Sequence, residues 1–219
     1  MFYLKKASFL LFLVTIFLNN AYSATVEFAG DATVVSTYVW RGVKQFDGAA
    51  LQGNGEFTYG ILAVGYWISS LNIPDVPVET DPYIGITLPY KSVNASIGAT
   101  LYSFDFFSQG SSTVYEINTS LGIDFGSLSF HYTPEQDNVD ESLYWLELSG
   151  STSVKGADLS AQLGYGTYSN FVNEDDKAVT TAIVSAGKTI SEFCVSWNWV
   201  IGLSDGMSNT FFFSIGHSF

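Results

Sequence analysis

One cysteine, Cys194, is too few for an internal disulfide framework, so stability must come from pairing and packing. Cations are also scarce. Eight Lys and Arg face 21 Asp and Glu, a formal net charge of −13. Nucleic acid is therefore a poor partner, because phosphate neutralisation needs clustered positive charge. Beyond residue 24 there is no run of roughly 18 apolar residues, and no long stretch keeps the 3.6-residue period of an amphipathic helix. Charged residues are 13% and aromatics 16%, with only five prolines, a balance that excludes disorder.

The first 23 residues read differently from the rest. Lys5 and Lys6 precede an apolar run from Ala7 to Leu18, then polar Asn19 and Asn20, and Ala21-Tyr22-Ser23. The run is too short to span a bilayer, and the small residues at Ala21 and Ser23 fit a signal-peptidase site before Ala24. Residues 1–23 are expected to be a cleaved signal peptide, leaving one domain over 24–219. Without Lys5 and Lys6, six basic residues remain against 21 acidic ones, a net charge of −15.

In place of helical periodicity the chain has period two. Tyr115, Ile117, Thr119, Leu121, Ile123 and Phe125 alternate with Glu116, Asn118, Ser120, Gly122 and Asp124, which as a strand gives one apolar and one polar face. Val93 to Leu101, Leu159 to Tyr165 and Phe193 to Ile201 repeat the pattern, and Gln52, Asn54, Glu56 and Thr58 form the polar row of another segment. The dyad segments fall near 28–41, 49–59, 61–71, 80–90, 92–103, 113–125, 127–133, 140–150, 156–168, 177–188, 192–202 and 209–219. Twelve is an even number, as in bacterial single-chain barrels, and each segment can cross a bilayer at a tilt. The fold class expected is all-β: a closed antiparallel up-and-down transmembrane barrel of about 12 strands in the bacterial outer membrane.

Connection lengths support that topology, since such barrels have short turns on one rim and longer loops on the other. Long polar connections are expected around 42–48, 72–79, 104–112, 134–139, 169–176 and 203–208, and short ones near Gly60, Lys91, Gly126, 151–155 and 189–191. Lys91, Lys155 and Lys188 mark the short-turn rim. Asp75, Glu79, Asp81, Asp137, Glu174, Asp175, Asp176 and Asp205 fall in or beside the long loops, predicting an acidic outer mouth. Tyr59, Tyr90 and Phe125 would supply an interfacial aromatic girdle. Phe211, Phe213, Ile215, His217 and Phe219 share one face of the last segment. Within it Phe213, Ile215 and Phe219 resemble the C-terminal signal read by the barrel-assembly machinery.

Ser36-Thr37-Tyr38-Val39-Trp40-Arg41-Gly42-Val43-Lys44-Gln45, followed by Gln52-Gly53, Gly65-Tyr66-Trp67-Ile68-Ser69 and Asp81-Pro82-Tyr83-Ile84-Gly85, resembles the TorF-type porins, also described as the Gcw_chp conserved hypothetical outer-membrane proteins. Tyr-x-Trp-Arg-Gly is the most specific element. Lys44 and Ile68 depart from the family's more usual Ser and small residue. The resemblance implies an outer-membrane channel without an assigned solute.

Polar rows in a barrel face the interior, so Glu56, Glu116, Asp124, His131, Glu147 and Asp158 are candidate lumen residues; a lumen of carboxylates nearly free of Lys and Arg favours cations. Arg41 is expected at the outer mouth, either pairing with Glu79 or Asp81 to narrow it or, with Gly42, fixing the turn into the loop. Gly53, Gly55, Gly98, Gly122 and Gly164 read as aids to strand coiling. The acidic groups Glu174-Asp175-Asp176 and Glu135, Asp137, Asp140 and Glu141 read as solvated loops, with no metal site or cofactor expected. For an enzyme, Ser129 and His131 are the only same-face Ser-His pair of interest, since His217 and Ser218 point to opposite faces; no catalytic residues are assigned. The reading is diffusion of small solutes, cationic or neutral, in contact with outer-membrane lipid and lipopolysaccharide. The alternatives are a closed barrel binding partners through its acidic loops, and an exported β-sandwich. The rows Ser92-Asn94-Ser96-Gly98 and Ser160-Gln162-Gly164 favour an open lumen.

Overall fold

The computed structural model describes residues 25–73, 76–104, 112–167 and 178–219. The signal-peptide segment, Asp75 and the run Glu174-Asp175-Asp176 lie outside the described residues. The long strands are β1 (Val26–Val35), β4 (Ala50–Tyr59), β5 (Leu62–Ile73), β6 (Val76–Tyr90), β7 (Val93–Phe104), β8 (Ser112–Ile123), β9 (Gly126–Thr133), β10 (Leu143–Val154), β11 (Ala157–Gly166), β12 (Val179–Ile190), β13 (Phe193–Gly202) and β14 (Thr210–Ser218). Each pairs antiparallel with its sequence neighbour, and β1 closes the ring on β14 through Asp31↔Ser218 to Val35↔Ser214. Gly30 and Phe219 exchange two further backbone hydrogen bonds of 2.9 Å across that seam. The expected 12-strand up-and-down barrel is the observed one, with no open edge.

Five two-residue connections, at 60–61, 91–92, 124–125, 155–156 and 191–192, lie on one rim. Gly60, Lys91, Lys155, Gly156 and Ser191 take positive φ of 61°, 54°, 52°, 77° and 57°. Left-handed backbone at such tight turns matches the right-handed strand twist. Tyr59, Tyr90 and Phe125 stand exposed at this rim, as a girdle requires.

The apolar rows face outward. Phe57, Ile97, Leu121, Leu148, Trp197, Trp199 and Phe213, among many others, are 49–57% exposed. In water each would forgo roughly 1.5–3 kcal/mol of burial, and a belt of them around a closed barrel is a surface made for lipid. Phe213, Ile215 and Phe219 all lie in it, with His217 between Phe193 and Phe219 at ring separations of 5.7 and 6.3 Å.

Three boundaries differ from the sequence reading. The third long strand continues to Ile73 and the fourth begins at Val76, the two pairing up to Ile73↔Val76 with a bulge after Ser70. Residues 76–79, expected as loop, are therefore strand, and Glu79 and Asp81, expected in or beside an acidic outer loop, are inward and 5% and 6% exposed. The β10 segment is shifted toward the C-terminus of its expected span, ending at Val154.

The largest difference follows β1, which stops at Val35 instead of running to residue 41. There the chain turns into the barrel and forms a separate hairpin, β2 (Val39–Trp40) and β3 (Val43–Lys44), with Val39↔Lys44 and Trp40↔Val43 paired. Arg41 and Gly42, at φ 50° and 78°, make its two-residue turn. At its base Tyr38 packs with Val35, Phe46 and Ala50, backed by Trp67 and Leu71. At its tip Trp40 packs against buried Trp145 and Val179.

Candidate functional site

The tip of the hairpin reaches both walls of the barrel. On β8, Arg41 forms a bidentate pair with Glu116, Nη1 to Oε2 at 2.9 Å and Nη2 to Oε1 at 2.8 Å. On β12, Thr181 Oγ1 donates to the Arg41 carbonyl at 3.2 Å. A Cβ on Gly42 would come within 2.5 Å of the Thr181 side chain, so glycine is required there by space as well as by φ.

Glu116 is fully buried, and Arg41 is 8% exposed at its side chain. Tyr102 Oη donates to Glu116 Oε1 at 3.0 Å and Thr133 Oγ1 to Oε2 at 3.2 Å, so with the two from Arg41 the carboxylate accepts at least four hydrogen bonds. His131 Nδ1 lies 2.7 Å from Asn118 Oδ1 and 3.4 Å from Glu116 Oε1. The guanidinium carbon sits 4.6 Å from the Trp40 ring centre and 5.9 Å from that of Trp145. A buried carboxylate is tolerated when paired and fully hydrogen-bonded; removing one partner of such a pair costs about 3–5 kcal/mol.

Arg41 is therefore a turn residue whose side chain points inward, and its partner is Glu116 and not Glu79 or Asp81. The reason is register. The turn carries Arg41 past the β6 wall, while Glu79 and Asp81 face the hairpin base, where burial and Glu79 hold the Tyr38 phenol well above its ordinary value. Among the described residues Asp81 Oδ1 and Ser103 Oγ have no hydrogen-bond partner there.

The remaining expected lumen residues are inward but scattered below the hairpin. Glu56 accepts from Tyr83 Oη at 3.0 Å. Glu147 is bonded by Gln162, and Asp158 by Ser153. Asp124 occupies an inner-rim turn and, with Asp158, borders a cavity of about 560 Å³ lined by Ser151, Ser153, Ser160, Ser185, Ser196 and Cys194. On the other side of the hairpin a cavity of about 540 Å³ is lined by Tyr38, Trp40, Tyr102, Glu79, Thr133 and Asp140, among others. Among the described residues no strand of the ring presents Lys or Arg to the lumen; the hairpin brings in Arg41 and Lys44, and Lys44 lines the 540 Å³ cavity.

Sequence reasoning missed Tyr102 and Trp145 as site residues. Their signal was legible: each is a large aromatic in an otherwise polar or small row, Gly98-Thr100-Tyr102 and Trp145-Glu147-Ser149. Gly164 was read as an aid to coiling; a Cβ there would run into the Trp145 indole, so its absence seats the ring. Ser129 and His131 share a face, but no hydrogen bond joins them. His217 instead approaches the Glu192 carbonyl at 2.8 Å.

No protein-family model matches the sequence, and no curated protein matches it significantly. Solved structures do. One determined in work on the in-meso crystallisation of membrane proteins superposes with a TM-score of 0.60 at 13% identity, covering 87% of this chain and 83% of its own. Outer membrane phospholipase A from Escherichia coli gives 0.47 at 10% identity, covering 91% of this chain and 95% of its own. The COG4313 outer membrane channel from Pseudomonas putida F1 gives 0.45 at 12% identity, with coverage of 87% and 94%. The first of these likenesses shows a shared fold and nothing more.

Proposed function

We propose that this protein is a non-enzymatic outer-membrane channel for small solutes, cation-preferring, whose outer mouth is narrowed by the β2–β3 hairpin. The observation that carries the reading is the lumen itself: inward carboxylates Asp31, Glu56, Glu147 and Asp158 and small hydroxyl side chains line it below the hairpin. Fixed negative charge in a low-dielectric bore raises local cation concentration. The apolar belt supports a membrane setting, with lipid and lipopolysaccharide as surroundings. The motif resemblance to TorF-type porins points the same way.

The test is single-channel recording of the refolded mature protein in planar bilayers under a salt gradient. Discrete cation-selective steps are expected. Folded protein without conductance, verified by heat-modifiable migration, would favour the second reading, a closed barrel presenting its loops, which the hairpin packed across the lumen specifically supports.

A further inference from the structure

Glu116, Thr181 and Trp145, which contact Arg41 together with Trp40 of the hairpin, belong to the barrel wall. Glu116 offers two oxygens in the plane of the guanidinium, Tyr102 and Thr133 orient that carboxylate, His131 flanks it, and Trp145 offers a ring face. A planar bidentate acceptor beneath an aromatic face is a receptor for guanidinium chemistry, since the fork geometry and the ring quadrupole select it together. Trp40, Tyr102 and Thr133 also line the 540 Å³ outer cavity, so the cage borders the space a solute enters from outside, and that volume accommodates a small organic cation.

Resting on the channel reading, we propose that the Glu116 cage is the solute-selecting site for guanidinium-bearing solutes, and that Arg41 is its tethered occupant. A free guanidinium competes with Arg41 for Glu116. When it wins, the tip loses its bond to the β8 wall and keeps the Thr181 hydrogen bond and the Trp40 packing. A group tethered on a short linker presents itself at millimolar or higher effective concentration, so the intact protein should respond only to concentrated solute.

The test uses refolded full-length barrel in detergent, titrated with guanidinium chloride below about 20 mM, where the tether sets the relevant range and denaturation does not intrude. Sodium chloride and tetramethylammonium chloride, which has no N–H donors, serve as matched controls, with thermal shift and tryptophan fluorescence as readouts. Arg41→Ala should respond at a guanidinium concentration at least about tenfold lower than wild type, as expected when a tethered competitor is removed. The double variant Arg41→Ala with Glu116→Gln should lose the response.

Equal responses in Arg41→Ala and the double variant, or equal responses to guanidinium and tetramethylammonium, would overturn the proposal. Should Arg41→Ala fold poorly, guanidinium added during refolding should restore its heat-modifiable form while sodium does not; no restoration overturns it. These readouts need no ion flow. Guanidinium binding without conductance would sink the channel reading and leave the site standing, whereas conductance without guanidinium preference in the thermal assay would do the reverse.

Discussion

The outer and inner halves of the lumen are built on different principles. Around the hairpin, space is filled: Trp145, Val179, Val200 and Glu116 are fully buried, and Arg41, Trp40, Tyr38 and Tyr102 interlock between opposite walls. Toward the short-turn rim the wall carries Ser, Gly, Asn and Asp around a 560 Å³ space, with hydroxyl pairs such as Ser127–Ser149 at 2.8 Å and Ser196–Ser214 at 2.7 Å. One half holds a shape and the other leaves a bore. A single change should therefore be costly in the outer half and nearly silent in the inner half.

The sharpest way to break that comparison is Glu116→Ala, which strands the Arg41 guanidinium inside the plug. Loss of about 3–5 kcal/mol is expected, as for other broken buried pairs, with larger conductance steps as the hairpin tip detaches; denaturant unfolding and planar-bilayer recording check both. Gly42→Val places a β-branched residue at φ 78° against Thr181. It should cost about 1–3 kcal/mol and raise conductance without altering strand content by circular dichroism. Gly164→Ala should displace the Trp145 ring and cost about 1–3 kcal/mol by overpacking, read as a red shift in tryptophan emission.

In the inner half, Ser185→Ala should change stability by less than about 0.5 kcal/mol, as for replacements away from tightly packed features. Cys194, exposed beside Ser185 and Ser196 at the inner cavity, is a reporter rather than a support. A charged methanethiosulfonate should lower conductance when added from the short-turn side and have no effect on Cys194→Ser. A large destabilisation from Ser185→Ala would erase the distinction between the halves.

Much of the barrel could be read directly because strand periodicity is a local property. Tyr115 to Phe125 alternates so cleanly that both its faces are assigned before any partner is known, and the short turns follow from Gly and Lys placement. The first segment misled for the same reason. Val39 and Trp40 are good strand residues, and nothing local says that their strand pairs with Val43–Lys44 instead of with the ring. Likewise Val76 to Glu79 carries an acid and a proline, so it reads as loop, yet as strand Glu79 can point inward, with Asp81, toward the hairpin base.

What the sequence alone determined was fold class, strand number, inward and outward faces, and the identities of Arg41, Glu116 and His131 as candidates, since each depends on spacing within one segment. The tertiary structure decided that Arg41 meets Glu116, 75 residues away in the chain, and that a hairpin crosses the lumen. That choice rests on chain reversal after Val35, on the space cleared by Gly42 and Gly164, and on a carboxylate whose other hydrogen bonds come from two further strands. Such an arrangement exists only when the ring is closed.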